Sequence, residues 1–142
     1  MSQSLHGQHR EHQIRVLIVD DDYDGRLMLR TFLGLEEGIT VVGEARDGME
    51  AIDKARQLSP DVILIDSVEP EKDKPGLDGL TAIQRIRSIN KTVRIIYHSA
   101  HWKNEYIDAA IRAGADLYFA KPSDPYKLTE AVRTIRRTNI ES

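Results

Sequence analysis

At 142 residues, with 40% hydrophobic and 30% charged side chains, the chain has the size and composition of one ordinary globular domain. A net charge of -3 argues against a general affinity for nucleic acid or anionic membrane, and the absence of cysteine excludes disulfide scaffolds, thiol catalysis and zinc–thiolate sites. No apolar run approaches the roughly 20 residues of a spanning helix, and the polar N-terminus is no signal peptide, so the expected location is the cytoplasm, with no membrane partner.

The first 13 residues are polar and carry His6, His9 and His12. With no apolar stripe to order them, the expectation is a flexible arm rather than a metal-binding face. Ile14–Val19 reads as a first strand and runs into Asp20, Asp21 and Asp22; Gly25, Met28, Leu29, Phe32 and Leu33 then recur at helical spacing, and Gly34 or Gly38 ends the helix. Ile39–Glu44 is the second strand, expected at a sheet edge; after the Ala45–Gly48 turn, Ala51, Ile52, Ala55 and Leu58 mark one face of a second helix. Pro60 and Asp61 form a turn before Val62–Ile65, an unbroken apolar run typical of a strand covered on both faces, which ends at Asp66.

A polar loop through Asp78 precedes a helix with Leu80, Ile83 and Ile86 on one face. Val93–Tyr97 is the fourth strand, with His98, Ser99 and Ala100 at its end; Tyr106, Ile107, Ala110 and Ile111 give a helix that Gly114 closes. Asp116–Ala120 is the last strand, ending at Lys121 and Pro122. Ser123 or Asp124 caps a final helix with Pro125 at its first position and Leu128, Val132 and Ile135 facing inward. Repeated strand–helix units with short connections force parallel strands and right-handed crossovers. The prediction is a doubly wound α/β domain over residues 14–138, with a five-stranded parallel sheet and helices on both faces, followed by a short tail at 139–142.

A parallel sheet collects the carboxyl ends of its strands on one side, where ligands bind. There the sequence places Asp20, Asp21, Asp22, Asp66, Ser99 and Lys121. Each has an ordinary use as a cap or turn residue. Together, clustered carboxylates call for a cation, and oxygen donors favour Mg²⁺ shared with a phosphoryl group. Lys121 supplies a compact positive charge and Ser99 a hydroxyl donor. The loop after the first strand holds acids where a nucleotide or flavin binder would present a glycine- or hydroxyl-rich turn, and no phosphate-binding glycine motif occurs.

The motifs Val16–Asp22 (V-L-I-V-D-D-D), Pro60–Asp66 (P-D-V-I-L-I-D), Pro75–Gly79 (P-G-L-D-G), His98–Ala100 (H-S-A) and Gly114–Pro122 (G-A-D-L-Y-F-A-K-P) follow in an order that resembles the receiver domains of two-component response regulators, from about Arg15 to Arg137. The resemblance implies a flavodoxin-like topology and a Mg²⁺-dependent switch. In it Asp66 accepts a phosphoryl group from the phosphohistidine of a sensor histidine kinase or histidine phosphotransfer protein. It also implies that Asp21, Asp66 and the Val68 backbone carbonyl bind Mg²⁺ directly, with Asp20 acting mainly through water. Lys121 would pair with a phosphoryl oxygen and Ser99 hydrogen-bond the phosphorylated Asp66, while Tyr118 would turn inward as Ser99 moves. Such a domain is modified rather than turning over a substrate.

The chain departs from the pattern between Asp66 and Asp78, where Glu71–Pro75 is extra. The expectation is a tolerated surface insertion; the sharper reading is that Glu71 and Asp73 tune metal affinity or docking. His101 lies where the resemblance implies an influence on acyl-phosphate lifetime. The output surface is expected on the helix–strand–helix segment from Trp102 through Arg137, carrying Arg112, Arg133, Arg136 and Arg137, which is also where a homodimer would form. Val41–Ala45 and Asp47–Ile52 are similar to receivers joined to helix-turn-helix domains, so the rival reading is the receiver of a longer transcription factor whose DNA contacts lie outside these residues. A metal-dependent Asp phosphatase of the haloacid dehalogenase type fits poorly, because Val68 occupies the position of its general acid and cannot transfer a proton.

Overall fold

The computed structural model describes residues 13–68, 77–100 and 103–138. The histidines of the N-terminal arm, the Glu71–Pro75 insertion, His101, Trp102 and the tail lie outside them. Five strands alternate with five helices: β1 (Ile14–Val19), α1 (Tyr23–Gly34), β2 (Ile39–Ala45), α2 (Gly48–Leu58), β3 (Val62–Ile65), α3 (Gly79–Ile89), β4 (Arg94–Ser99), α4 (Asn104–Ala113), β5 (Leu117–Ala120) and α5 (Pro125–Thr138). All pairings are parallel, in the order β2-β1-β3-β4-β5, which is the flavodoxin-like arrangement and puts β2 at an edge.

Strand side chains alternate between the two faces, so each face builds its own core. Leu17, Val19, Ile63, Ile65, Ile95 and Tyr97 pack with α2, α3 and α4 through residues such as Ala51, Ala55, Ala82, Ile83, Ile86 and Ala110. Val16, Ile18, Val62, Leu64 and Ile96 pack with α1 and α5 through Leu29, Leu33, Leu128, Val132 and Ile135. Every residue of β3 is buried, as its unbroken apolar sequence requires of a strand covered on both sides.

Aspartates start four of the helices. Asp22, Asp47 and Asp78 each have extended backbone at the N-cap and accept a hydrogen bond from the backbone N–H of Gly25, Glu50 and Thr81, respectively. Asp124 plays the same part for α5, accepting from the Tyr126 N–H at 2.9 Å. Gly114 closes α4 with φ +127°, a conformation costly for any side chain, and the α1 helix ends at Gly34 with Leu35 as a right-handed cap.

Five local expectations need adjusting. β4 begins at Arg94 and runs through Ser99, because ladder pairs His98↔Phe119 and Ser99↔Ala120 extend it past Tyr97. β5 begins at Leu117, and β2 continues to Ala45, which pairs with Val19. Met28 and Phe32 are 55% and 37% exposed, because α1 meets the sheet through Leu29 and Leu33. Arg133 and Arg136 do not serve the α4–β5–α5 surface: Arg133 bonds Glu36 and the Glu37 carbonyl after α1, and Arg136 reaches Asp61 before β3.

The caps can be tested away from the sheet edge. Asp47→Ala should lower the urea-unfolding free energy by about 1 kcal/mol with the m-value unchanged. An unaltered midpoint would contradict the capping role.

Candidate functional site

The parallel register carries the ladders past the strand ends and fixes the backbone of the site. Val19 pairs with Ile65 and Ile65 with Tyr97. The Asp20 N–H then donates to the Ala45 carbonyl at 3.0 Å, the Asp66 N–H to Val19 at 2.9 Å and the Lys121 N–H to Ser99 at 3.0 Å. Asp20, Asp66, Ser99 and Lys121 are thereby gathered at one edge of the sheet, as the sequence predicts.

At the centre is an ion-paired triad. Lys121 Nζ donates to Asp20 Oδ2 at 2.8 Å and to Asp66 Oδ2 at 2.9 Å. The Asp20 side chain is 2% exposed, against 19% for Asp66 and 25% for Lys121. Burial works against the Lys121 ammonium, but its hydrogen bonds to Asp20 and Asp66 and their charges outweigh that effect and hold its pKa above the ordinary lysine value. The other oxygen of Asp20 accepts the Asp22 N–H at 2.9 Å, and Asp66 Oδ1 accepts the Ser67 N–H at 2.7 Å.

The three N-terminal acids divide their labour. Asp22 is the cap of α1, and Asp20 is the buried partner of Lys121. Asp21 projects outward, yet partial desolvation and then the charges of Asp20 and Asp66 raise its pKa above the usual carboxylate range. Neighbouring carboxylates repel one another and are relieved by a cation, and the donors present are all hard oxygens. Val68 is 1% exposed, and its carbonyl accepts the Gly79 N–H at 2.9 Å, which leaves a second lone pair. No three acidic or histidine side chains among the described residues are placed to hold a metal by themselves. The donor set therefore suits an ion that keeps several waters, as Mg²⁺ does.

Glycine at 79 is dictated by this geometry, since a Cβ there would stand 2.5 Å from the Asp66 carbonyl oxygen. The P-G-L-D-G motif thus has two physical roles, close approach at Gly79 and capping at Asp78.

Ser99 is fully buried at the end of β4, and its carbonyl accepts both the Lys121 N–H and the Tyr118 hydroxyl, the latter at 3.2 Å. Tyr118 packs against Tyr97 with ring centroids 6.0 Å apart. Two participants were not singled out in the sequence. The Ser67 hydroxyl lies 3.2 Å from that of Ser99, and the Tyr97 phenol faces both; burial raises the Tyr97 pKa, and hydrogen bonds with Ser99 and Ser67 partly offset the rise. The β3–β4 ladder ends at Ile65 and Tyr97, and Ser67 lies beyond it in a tight turn in which the Val68 N–H donates to the Asp66 carbonyl at 2.8 Å.

Beside the triad, a cavity of about 660 Å³ opens between α1 and α5, with Met28, Phe32 and Leu128 on its apolar walls and Asp20, Lys121 and His98 at its inner end. His98 is buried there, stacks at a tilt near Phe119 and bonds Ser123 through Nε2 at 3.0 Å. Burial, and next the charge of Lys121, lower its pKa to about 4.

Comparison with known proteins meets this geometry. The sequence matches the response regulator receiver domain family over residues 16–133. The chain belongs to that family. It is 36% identical over 123 residues to the chemotaxis protein CheY of Thermotoga maritima, covering 87% of this chain and 98% of that protein. To the nitrate/nitrite response regulator protein NarP of Escherichia coli it is 40% identical over 119 residues, covering 84% of this chain and 53% of NarP. Among solved structures, the CheX–CheY–BeF3–Mg complex of Borrelia burgdorferi aligns with TM-score 0.77 and 28% identity over 86% of this chain and 88% of that one. The chain spans nearly all of CheY, but 30% of a Myxococcus xanthus protein-glutamate methylesterase/glutaminase relative and about half of NarP, so it matches a part shared by proteins of different overall build. Among the described residues no helix is long and apolar enough to cross a membrane.

The buried His98 gives a pH test. Its folded pKa lies below the ordinary histidine value of 6.5, so its contribution to stability is complete above pH 6.5 and is lost as pH falls toward about 4. Urea unfolding of the wild type should lose stability more steeply between those limits than unfolding of His98→Gln. Parallel slopes would contradict the buried neutral imidazole.

Proposed function

We propose that this receiver domain is a Mg²⁺-dependent phosphoryl acceptor at Asp66, switched by a histidine kinase or histidine phosphotransfer protein and working in the cytoplasm. The observation that carries the reading is the shared ammonium of Lys121, bonded to the buried Asp20 and to Asp66, whose side chain is 19% exposed. It marks Asp66 as a partly exposed carboxylate already beside a positive charge that a phosphoryl oxygen can take over.

In the reaction an Asp66 carboxylate oxygen attacks the phosphorus of the partner's phosphohistidine. The O–P bond forms as the N–P bond breaks, and the imidazole leaves with the electron pair. Such transfers depend on positioning and charge neutralisation more than on covalent help. Lys121 holds Asp66 Oδ2 and gains a phosphoryl oxygen as partner, while Asp20 keeps the ammonium at the site. Asp21, Asp66 and the Val68 carbonyl would hold Mg²⁺, with Asp20 as a nearby acceptor; the ion would offset charge on the transferring group. The exposed apolar surface of Met28 and Phe32 lines the approach and suits a helical partner presenting its histidine.

Phosphorylation turns the singly charged Asp66 carboxylate into an acyl phosphate carrying about two negative charges and several acceptor oxygens beside Ser99 and Lys121. Ser99 is bonded through its carbonyl to Tyr118 and to the Lys121 backbone, so a pull on its side chain bears on β5 and the β5–α5 loop. The domain is thus modified and does not turn over substrate, and its output is a changed surface. The output is taken to be binding through the α4–β5–α5 surface, homodimer formation included, with no nucleic-acid contact from these residues.

The test is incubation with Mg²⁺ and a small acyl phosphodonor, read by intact mass. Wild type should gain one phosphoryl group. Asp66→Asn and chelated wild type should gain none or have their rate cut by about a hundredfold or more, the size of effect that loss of one positioned charge has on transfer. Equal labelling of Asp66→Asn would refute the assignment.

A further inference from the structure

Ser67 sits between the acceptor and the switch hydroxyl. Its N–H donates to Asp66 Oδ1 at 2.7 Å, and its hydroxyl lies 3.4 Å from the same oxygen and 3.2 Å from Ser99 Oγ. A carboxylate can only accept, so the Ser67 hydroxyl can donate to Asp66, while between Ser67 and Ser99 either hydroxyl can be the donor. The two hydroxyls meet just past the last β3–β4 ladder pair, Ile65 with Tyr97, and the Tyr97 phenol closes the cluster from the α2–α4 side.

We propose that Ser67 is a positioning residue of the switch: it engages the Ser99 hydroxyl in the unphosphorylated domain and must release it before Ser99 can serve a phosphoryl oxygen on Asp66. This rests on the phosphoacceptor reading of Asp66 and adds to it a side chain that competes for Ser99. A bond made in one state and lost in the other biases the equilibrium between them by its own net strength. Removing it favours the activated arrangement.

Ser99 also makes further interactions, and the proposal does not depend on Ser67 being its sole partner. It depends on the Ser67–Ser99 contact differing between the two states. The side chain at 67 is half-buried beside a loop, so its truncation leaves the core of β3 intact.

The experiment measures beryllofluoride affinity in Mg²⁺ by the fluorescence of Trp102, the single tryptophan. Ser67→Ala should bind about fivefold more tightly than wild type, the worth of one net hydrogen bond. Ser67→Thr, which keeps the hydroxyl, should bind within about twofold of wild type, and Ser67→Ala should have no effect in a Ser99→Ala background. Unchanged or weaker binding by Ser67→Ala overturns the proposal, as does equal tightening with Ser99 absent, which would mean that Ser67 acts by another route. A wild type that gives no Asp66-dependent response overturns the phosphoacceptor reading and this inference together. A responsive wild type with an indifferent Ser67→Ala overturns the inference alone.

Discussion

The site depends on one ammonium shared by two carboxylates. Lys121 bonds Asp20 and Asp66 at nearly equal distances, 2.8 and 2.9 Å, and the three groups come from three different strand ends. Each alone would be poorly placed: Asp20 is buried, and Lys121 is partly desolvated. Removing the lysine would leave a buried carboxylate without its partner, a more costly state than having no charge there at all. The arrangement is therefore both a structural tie and a stored positive charge, available where negative charge arrives.

The sheet makes that arrangement possible. Parallel strands align their carboxyl ends, and the backbone ladder continues beyond the assigned strands to fix Asp20, Asp66 and Lys121. Two packed cores hold the strands from opposite sides, so the sheet edge can remain polar and open without loss of order. The helix caps follow the same economy: Asp22 and Asp78 sit immediately around the site but spend their side chains on α1 and α3. Ser99 then links site to surface, with its hydroxyl facing Ser67 and its carbonyl tied to Tyr118 and the Lys121 backbone.

Much of this was legible in the sequence, for identifiable reasons. The β3 run Val62–Ile65 could only be a doubly covered strand, and the acids, serine and lysine at strand ends had to converge once the strands were parallel. What pattern could not resolve was the division of labour among Asp20, Asp21 and Asp22, which depends on which side chain points inward, caps or projects. Nor could it see that Met28 and Phe32, at helical spacing, lie at the edge of the buried stripe; periodicity locates a face but not its width. Arg133 and Arg136 were expected with Arg112 on one surface, but the helix turns them toward Glu36 and Asp61. Ser67 carries no such signal, because a residue after a strand reads as loop, and its contact with Ser99 arises only from the turn that follows β3.

The most direct measurement of the central claim is to phosphorylate the domain from a phosphorylated histidine phosphotransfer protein, reduce the product with borohydride, and locate the modified residue by peptide mass spectrometry. Reduction converts an aspartyl phosphate to homoserine. Homoserine is expected at position 66, with unaltered aspartate at 20 and 21. Homoserine at either of those positions, or phosphate retained on a histidine or serine with Asp66 intact, would contradict it.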